Sequence, residues 1–398
     1  MKKTIHIHIL SLGCPKNLVD SEVMAAALED AGFIITSREE EAEILLLNTC
    51  AFILPAREES IEEILRLAHW KTAGKCAYLV VAGCLPQRYG DEIARELPEV
   101  DLFLGTDEVG RTADHIRKLV ASQQPAQQCV VQEPSFLMTA ANRRQISTPF
   151  YSAYLKIADG CTNRCSYCVI PAIRGRARSR SIEDICREAE GLVKSGVREL
   201  ILTAQDTTGY GRDLPGKPTL SDLITELCAI TDVRWIRLLY TYPAELTDDV
   251  FYTIAREEKI CPYIDIPIQH IDDEILHLMH RRGNSELIRG VIRRAREIIP
   301  DLALRTSLIV GFPGESPGRF RKLLHFVDEA RFDHLGVFTY SPEEDTEALT
   351  LPGPVSEKTK EKRKQRIMEA QAIVSEEINH ALIASLQEVL VEGKSDIA

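Results

Sequence analysis

Three of the eleven cysteines in this 398-residue chain fall within one short segment, Cys161-Thr162-Asn163-Arg164-Cys165-Ser166-Tyr167-Cys168, at spacings of four and three. On a helix they would share one face and read as small core residues. Polar side chains separate them, however, Gly160 opens the segment and a strand-like run, Ala153 to Ile157, precedes it, so a loop over the end of a sheet is the better expectation. Thiolates bind soft metals. A structural zinc site closes with a fourth Cys or His, whereas a 4Fe-4S cluster held by three cysteines leaves one iron open to an outside ligand.

A second set is spread over the first hundred residues. Cys14, Cys50 and Cys84 each close an apolar run, within Leu12-Gly13-Cys14, Asn48-Thr49-Cys50 and Ala82-Gly83-Cys84. In an open parallel α/β sheet the carboxyl ends of strands share one edge, where ligands bind. Three cysteines at equivalent positions therefore predict a second three-thiolate cluster. Cys76, Cys129, Cys186, Cys228 and Cys261 have no such pattern and read as core or surface residues.

The elements that must carry these thiols alternate between strand and helix. Residues 1–120 contain apolar runs at Ile5 to Leu12, Ala42 to Leu47, Ala77 to Ala82 and Val100 to Leu104. Helical patterns follow at Asn17 to Ala31, Pro55 to Trp70 and Pro86 to Leu97, with one more after the fourth run, which predicts parallel strands joined by crossover helices. Residues 121–149, rich in Gln, Ser and Pro, read as a linker. In residues 150–355 six further strand-like runs alternate with helices: Ala153 to Ile157, Glu199 to Ala204, Trp235 to Tyr240, Tyr263 to Ile268, Ala303 to Val310 and His334 to Phe338. Six units suffice for a partial or complete α/β barrel. A charged helix over 356–385 reads as a connector, and 386–398 as a strand-like piece, Leu386 to Val391, with a polar tail.

Composition narrows the class. The apolar share is 44%, the charged share 27%, and no run of 18 or more apolar residues is present, so no membrane span is predicted. The start, Met1-Lys2-Lys3 through Cys14, superficially resembles a lipoprotein signal, but its apolar stretch is short, carries His6 and His8, and leads into Pro15. The expected location is the reducing cytoplasm, where cysteines serve as thiols or metal ligands. A formal net charge of -12 argues against a nucleic-acid backbone and for a basic protein as partner.

The spacing CxxxCxxC with an aromatic residue before the last cysteine, here Tyr167, resembles the signature of the radical S-adenosylmethionine superfamily. That resemblance implies a cofactor whose amino and carboxylate groups chelate the open iron and which, on receiving an electron, yields a 5'-deoxyadenosyl radical. With the three-cysteine domain before it, nearly the whole chain resembles the methylthiotransferases, which insert sulfur into an unactivated C-H bond and deliver a methylthio group. The implied architecture is α/β: an open parallel sheet followed by a partial (β/α)6 radical SAM barrel, with two 4Fe-4S clusters and S-adenosyl-L-methionine.

Two branches of that family matter, one acting on isopentenylated adenosine in tRNA, the other on the β carbon of an aspartate in ribosomal protein S-twelve. Ser11-Leu12-Gly13-Cys14-Pro15-Lys16-Asn17, Ala204-Gln205-Asp206-Thr207-Thr208 and Tyr340-Ser341-Pro342-Glu343-Glu344-Asp345-Thr346 resemble the protein-modifying branch, where tRNA enzymes typically carry Gln-Met-Asn, Asn-Val-Asn and an Arg- and Gly-containing segment. The resemblance also implies an electron donor such as flavodoxin and no direct nucleic-acid binding. Such enzymes usually end in a small β domain, TRAM, of which only a beginning is expected here, through shortening of the chain or loss of the module.

No side chain is expected to act as acid or base. Gln205 and Asp206, closing a strand run, are expected to contact the cofactor, the alternative being an ordinary turn or cap. Gln269 and His270 fall where radical enzymes contact the ribose, although a His at a strand end is often structural. Arg305, a cation within an apolar strand, needs a partner, either the cofactor carboxylate or a salt bridge. The run Arg174, Arg176, Arg178, Arg180 reads equally as a solvated face or as a clamp on an anion. The glycines near Gly311 lack a following Lys-Ser/Thr, so a nucleotide P-loop is not expected.

Overall fold

The computed structural model describes residues 4–122 and 126–391. The first unit is an all-parallel six-stranded sheet built from β1 (His6–Ser11), β2 (Ile34–Ile35), β3 (Ile44–Thr49), β4 (Tyr78–Gly83), β5 (Leu102–Leu104) and β6 (Gln128–Val130), in the order β2-β1-β3-β4-β5-β6. Helices cover both faces, so the central strands read as unbroken apolar runs: every residue of β3, Ile-Leu-Leu-Leu-Asn-Thr, is buried. The predicted helix over 86–97 is two helices, Cys84–Tyr89 and Asp91–Glu96, separated at Gly90.

The stretch read as a linker does more than connect. Its β6 extends the sheet in parallel register with β5, pairing Phe103 with Cys129, and Met138 is fully buried. The fully buried Ile7 and the short β2 complete the other edge. Three-residue and two-residue edge strands carry too little periodicity to stand out in sequence.

The second unit contains β7 (Ser152–Lys156), a two-residue ribbon of β8 (Ala158–Asp159) and β9 (Arg178–Ser179), then β10 (Glu199–Thr203), β11 (Trp235–Leu238), β12 (Ile260–Asp265), β13 (Ala303–Val310) and β14 (His334–Thr339). Strands β7, β10, β11, β12, β13 and β14 lie side by side in chain order, all parallel. Sequential strands with covering helices curl into a (β/α)6 partial barrel whose edges are β7 and β14. Along β13 alternate residues are buried: Leu304, Leu308 and Val310 join the outer core, while Arg305, Ser307 and Ile309 point the other way and stay half-buried. Strand β12 starts and ends three residues earlier than the apolar run suggested, and Pro267, which has no N–H for the ladder, follows its end.

The two units share a core. Val169 and Ile173 of the barrel pack among the apolar side chains of the first sheet, and Tyr154 packs against the other face's cluster. The charged helix Glu357–Ala381 is more than a connector: Ile367 and Val374 are buried, and Arg363 and Lys360 bond buried groups of the barrel. Leu386 to Val391 forms no strand. Leu386, Val389 and Val391 are exposed, and Glu388 pairs with Arg234. The remainder of the predicted tail, 392–398, lies outside the described residues. Among the described residues no helix is long and apolar enough to cross a membrane.

Candidate functional site

The loop bearing Cys161, Cys165 and Cys168 hangs from the β8–β9 ribbon. Its backbone is pinned at several points: Cys161 N donates to Gly175 O at 3.0 Å, Cys168 N to Cys165 O at 3.1 Å, and Ser166 N to Met279 O at 3.1 Å. Ser166 Oγ adds a bond to Leu278 O. Tyr167 lies in a small cluster with Phe312, edge to face at 6.4 Å between ring centres. Burial pushes the Cys168 thiol up to about 12, and the neighbouring sulfurs of Cys165 and Cys161 push the same way. One residue that sequence reasoning missed stands here: Arg281 places Nη1 3.9 Å from Cys165 Sγ and stacks over the Tyr242 ring at 4.1 Å. Nothing in the Arg281-Arg282-Gly283 spacing distinguishes it from a surface pair.

Cys14, Cys50 and Cys84 meet at the carboxyl edge of the first sheet. Cys14 precedes helix Pro15–Asp30, Cys50 follows β3 and Cys84 opens helix Cys84–Tyr89. The turns require glycine before two of them. Gly13 has φ +88°, and a Cβ there would lie 2.8 Å from Cys50 Cβ; at Gly83, φ +96°, it would lie 2.2 Å from Asn48 Oδ1. The three sulfurs feel one another. Burial pushes the Cys50 thiol up to about 12, and the sulfurs of Cys84 and Cys14 push the same way. Burial also raises Cys84, against the pull of Arg174. For Cys14 burial alone would raise the thiol, but the cations Lys16 and Arg174 bring it below its ordinary value.

Among the described residues no three His, Cys, Asp or Glu side chains converge on a single point, as one mononuclear ion needs. Each set offers three thiols, the donor set that a 4Fe-4S cluster with one open iron takes.

Between the two cysteine sets lies a buried charge network that no motif announced. Lys156 Nζ bonds Asp20 Oδ1 at 2.5 Å and Asp159 Oδ2 at 3.0 Å, and Arg174 Nη1 bonds Asp20 Oδ2 at 2.5 Å and Asp159 Oδ2 at 3.4 Å. Arg174 Nη2 reaches Asn17 Oδ1 at 3.0 Å and Cys84 Sγ at 3.5 Å. None of Asp20, Lys156, Asp159 and Arg174 is more than 4% exposed. Asp159 Oδ1 accepts from Gly160 N at 2.8 Å and from Gln205 Nε2 at 2.9 Å. One connected set of bonds thus runs from a sulfur of the first site to the residue before Cys161.

The candidate cofactor contacts divide. Gln205 Oε1 is buried and has no hydrogen-bond partner among the described residues, which marks an acceptor waiting for a donor. Asp206 caps its own turn through Thr208 Oγ1 and Gly209 N and holds Asn163 of the cysteine loop at 2.7 Å. Gln269, at φ +67°, ties its backbone to Ser307 and Ile309. Arg305 uses Nη1 to bind the buried Asp265 at 2.8 Å, with 38% of its side chain exposed. His270 is structural: its Nδ1 accepts from Asp272 N, and Nε2 faces Glu315 at 3.4 Å.

The basic run after the cysteine loop turns inward except at Arg176, which is exposed. Arg174 belongs to the network, Arg180 bonds Asp184 and Glu188, and Arg178 bonds the carbonyls of Arg174 and Arg176. The acidic segment after Tyr340 turns partly inward as well. Glu343, 1% exposed, accepts from Leu54 N and Arg88 Nη1, both at 2.8 Å, and Arg88 also bonds Ala51 O beside Cys50. The barrel thereby clamps the turn that carries Cys50.

Comparison with known proteins bears on this arrangement. The family described as "Uncharacterized protein family UPF0004" matches residues 6–105, and the radical SAM superfamily matches residues 155–327. The chain is 65% identical over 390 residues, 98% of its own length and 86% of the relative, to the ribosomal protein uS12 methylthiotransferase RimO of Syntrophus aciditrophicus. The chain belongs to the RimO family. It is 53% identical to the RimO of Geobacter sulfurreducens over 98% of the chain and 87% of that relative. RimO membership and the radical SAM match make it a radical SAM methylthiotransferase. In fold it is similar to the radical S-adenosylmethionine methyltransferase TsrM of Kitasatospora setae, with a TM-score of 0.61 at 16% identity, over 87% of this chain and 77% of that one.

Proposed function

We propose that this enzyme adds a methylthio group to the β carbon of an aspartate in ribosomal protein uS12. In this reading Cys161, Cys165 and Cys168 hold one 4Fe-4S cluster with S-adenosyl-L-methionine on its open iron, and Cys14, Cys50 and Cys84 hold a second. The observation that carries it is the meeting of two three-thiol sets across one buried network, Cys84 to Arg174 to Asp159 to Gly160. When bound, these groups supply the one-electron chemistry that opens an inert C–H bond and the sulfur that becomes methylated.

The protein's own residues then have definite tasks. The six thiolates would hold the clusters, Gln205 Oε1 would accept a cofactor N–H or O–H, and the guanidinium edge of Arg305 not used by Asp265 would serve the cofactor carboxylate. Asp206, through Asn163, and Gln269, through its fixed backbone, shape the wall around it, while Tyr167 closes the cluster loop against Phe312 and excludes water. A one-electron donor such as flavodoxin would supply the electron, and a ribosomal substrate supports work in the cytoplasm. The net charge of -12 suits a basic ribosomal protein. Incubation of the reconstituted enzyme with uS12, S-adenosyl-L-methionine and a reductant is expected to yield methylthio-aspartate, read by tandem mass spectrometry. Unmodified uS12 alongside methylthiolated isopentenyladenosine in tRNA would overturn the reading.

A further inference from the structure

The charges of the buried network between the two cysteine sets balance, and Arg281 spends its guanidinium on Cys165 Sγ and the Pro267 carbonyl. In the buried network two carboxylates, Asp20 and Asp159, face two cations, Lys156 and Arg174. Asp265 is likewise taken up by Arg305. Lys16 is left over. It is 7% exposed, yet its ammonium makes no hydrogen bond or ion pair with the described residues; its contact is the ring of Tyr240, 3.5 Å from Nζ to the ring centre. A buried ammonium calls for an anion, and an aromatic face is a weak substitute for one.

The platform beneath it is built rather than accidental. Tyr240 follows β11 at the barrel mouth in the left-handed region, φ +59°, a conformation that costs a non-glycine residue energy and persists only where bonds dictate it. Its N–H donates to Asp265 Oδ2 at 3.0 Å, and its carbonyl accepts from Thr207 N at 3.0 Å. Lys16 itself stands two residues after Cys14, on the helix that Cys14 precedes. The ammonium therefore bridges the seam, with the first cysteine site on one side and the barrel mouth on the other.

We propose that Lys16 binds the side-chain carboxylate of the substrate aspartate. This rests on the function proposed above and deepens it. The β carbon of an aspartate is one bond from its carboxylate carbon, so an anchor at Lys16 holds that carbon at the seam, within reach of both sites. On the barrel side the cations Arg305 and Arg281, which bond Asp265 and Cys165, would be the ones to serve the cofactor carboxylate. Lys16 thus decides for aspartate over its neutral isostere asparagine, because a charge-assisted bond to a buried ammonium is lost when the carboxylate becomes an amide.

The test uses reconstituted holoenzyme and two fluorescent uS12 peptides, one with the target aspartate and one with asparagine there, binding being read by anisotropy without reductant. Wild type is expected to prefer the aspartate peptide by about tenfold or more, and Lys16→Gln, compared at equal iron content, to bind both equally, with the KM for S-adenosyl-L-methionine unchanged. Lys16→Arg is expected to restore most of the preference. A Lys16→Gln enzyme that keeps the preference overturns the proposal, and so does one whose KM for S-adenosyl-L-methionine rises while the preference stays. If wild type prefers aspartate through Lys16 but never modifies it, the carboxylate site stands and the proposed reaction fails.

Discussion

Alanine at Cys161, Cys165 and Cys168 together is expected to reduce 5'-deoxyadenosine formation from S-adenosyl-L-methionine to the level of a protein-free control. The loop exists to present these sulfurs. Its bonds to Gly175, Met279 and Leu278 come from backbone N–H groups and the Ser166 hydroxyl, without help from the thiols, so the barrel should survive the change. All three cysteines are half-buried, and cysteine to alanine removes little volume there. Chromatographic assay of the nucleoside, together with an unchanged far-ultraviolet dichroism spectrum, checks both halves. Persistent 5'-deoxyadenosine in a folded variant would remove this loop from the chemistry.

The second large effect concerns stability. Arg174→Met is expected to lower the unfolding free energy of the metal-free protein by about 3–5 kcal/mol, because it strands a carboxylate of Asp20 or Asp159 in a site closed to water. The urea midpoint measures it. Acid dependence gives an independent check. Burial alone would raise the Asp159 carboxyl, but Lys156 and Arg174, aided by bonds from Lys156 and Gln205, hold it well below the ordinary carboxylate range. A group depressed in the folded state contributes stability that is complete above its unfolded value, about 4, and is lost as pH falls below that. Wild-type stability should therefore fall steeply on acidification below about pH 4, and less steeply in Arg174→Met, whose Asp159 has lost one of the cations that depress it.

What could be read from the sequence follows from what each feature depends on. The cysteine sets were legible because their signals are local: a fixed spacing over eight residues in one, and three strand ends of one parallel sheet in the other. Strand runs such as Ala303 to Val310 were legible from periodicity. The network was not, because Asp20, Asn17, Lys156 and Arg174 are isolated polar residues whose meeting depends on how the units pack. Glu343 has a structural role that the sequence did not reveal. In sequence it belongs to an acidic segment distinguishing two substrate classes; in the fold it is a buried clasp on Leu54 and Arg88. Short edge pairing hid β6, and apolar alternation suggested a strand at Leu386 to Val391 where no partner strand lies alongside.

The central claim is that the chain carries two clusters, on two separate sets of three thiols. Iron and sulfide analysis with Mössbauer spectra, comparing anaerobically reconstituted wild type with a Cys14→Ala, Cys50→Ala, Cys84→Ala variant, tests it most directly. Iron is expected to fall from about eight to about four per chain, with the remaining cluster retaining a three-cysteine signature and 5'-deoxyadenosine formation surviving. Iron content unchanged by the triple substitution would contradict the second cluster and with it the proposed reaction.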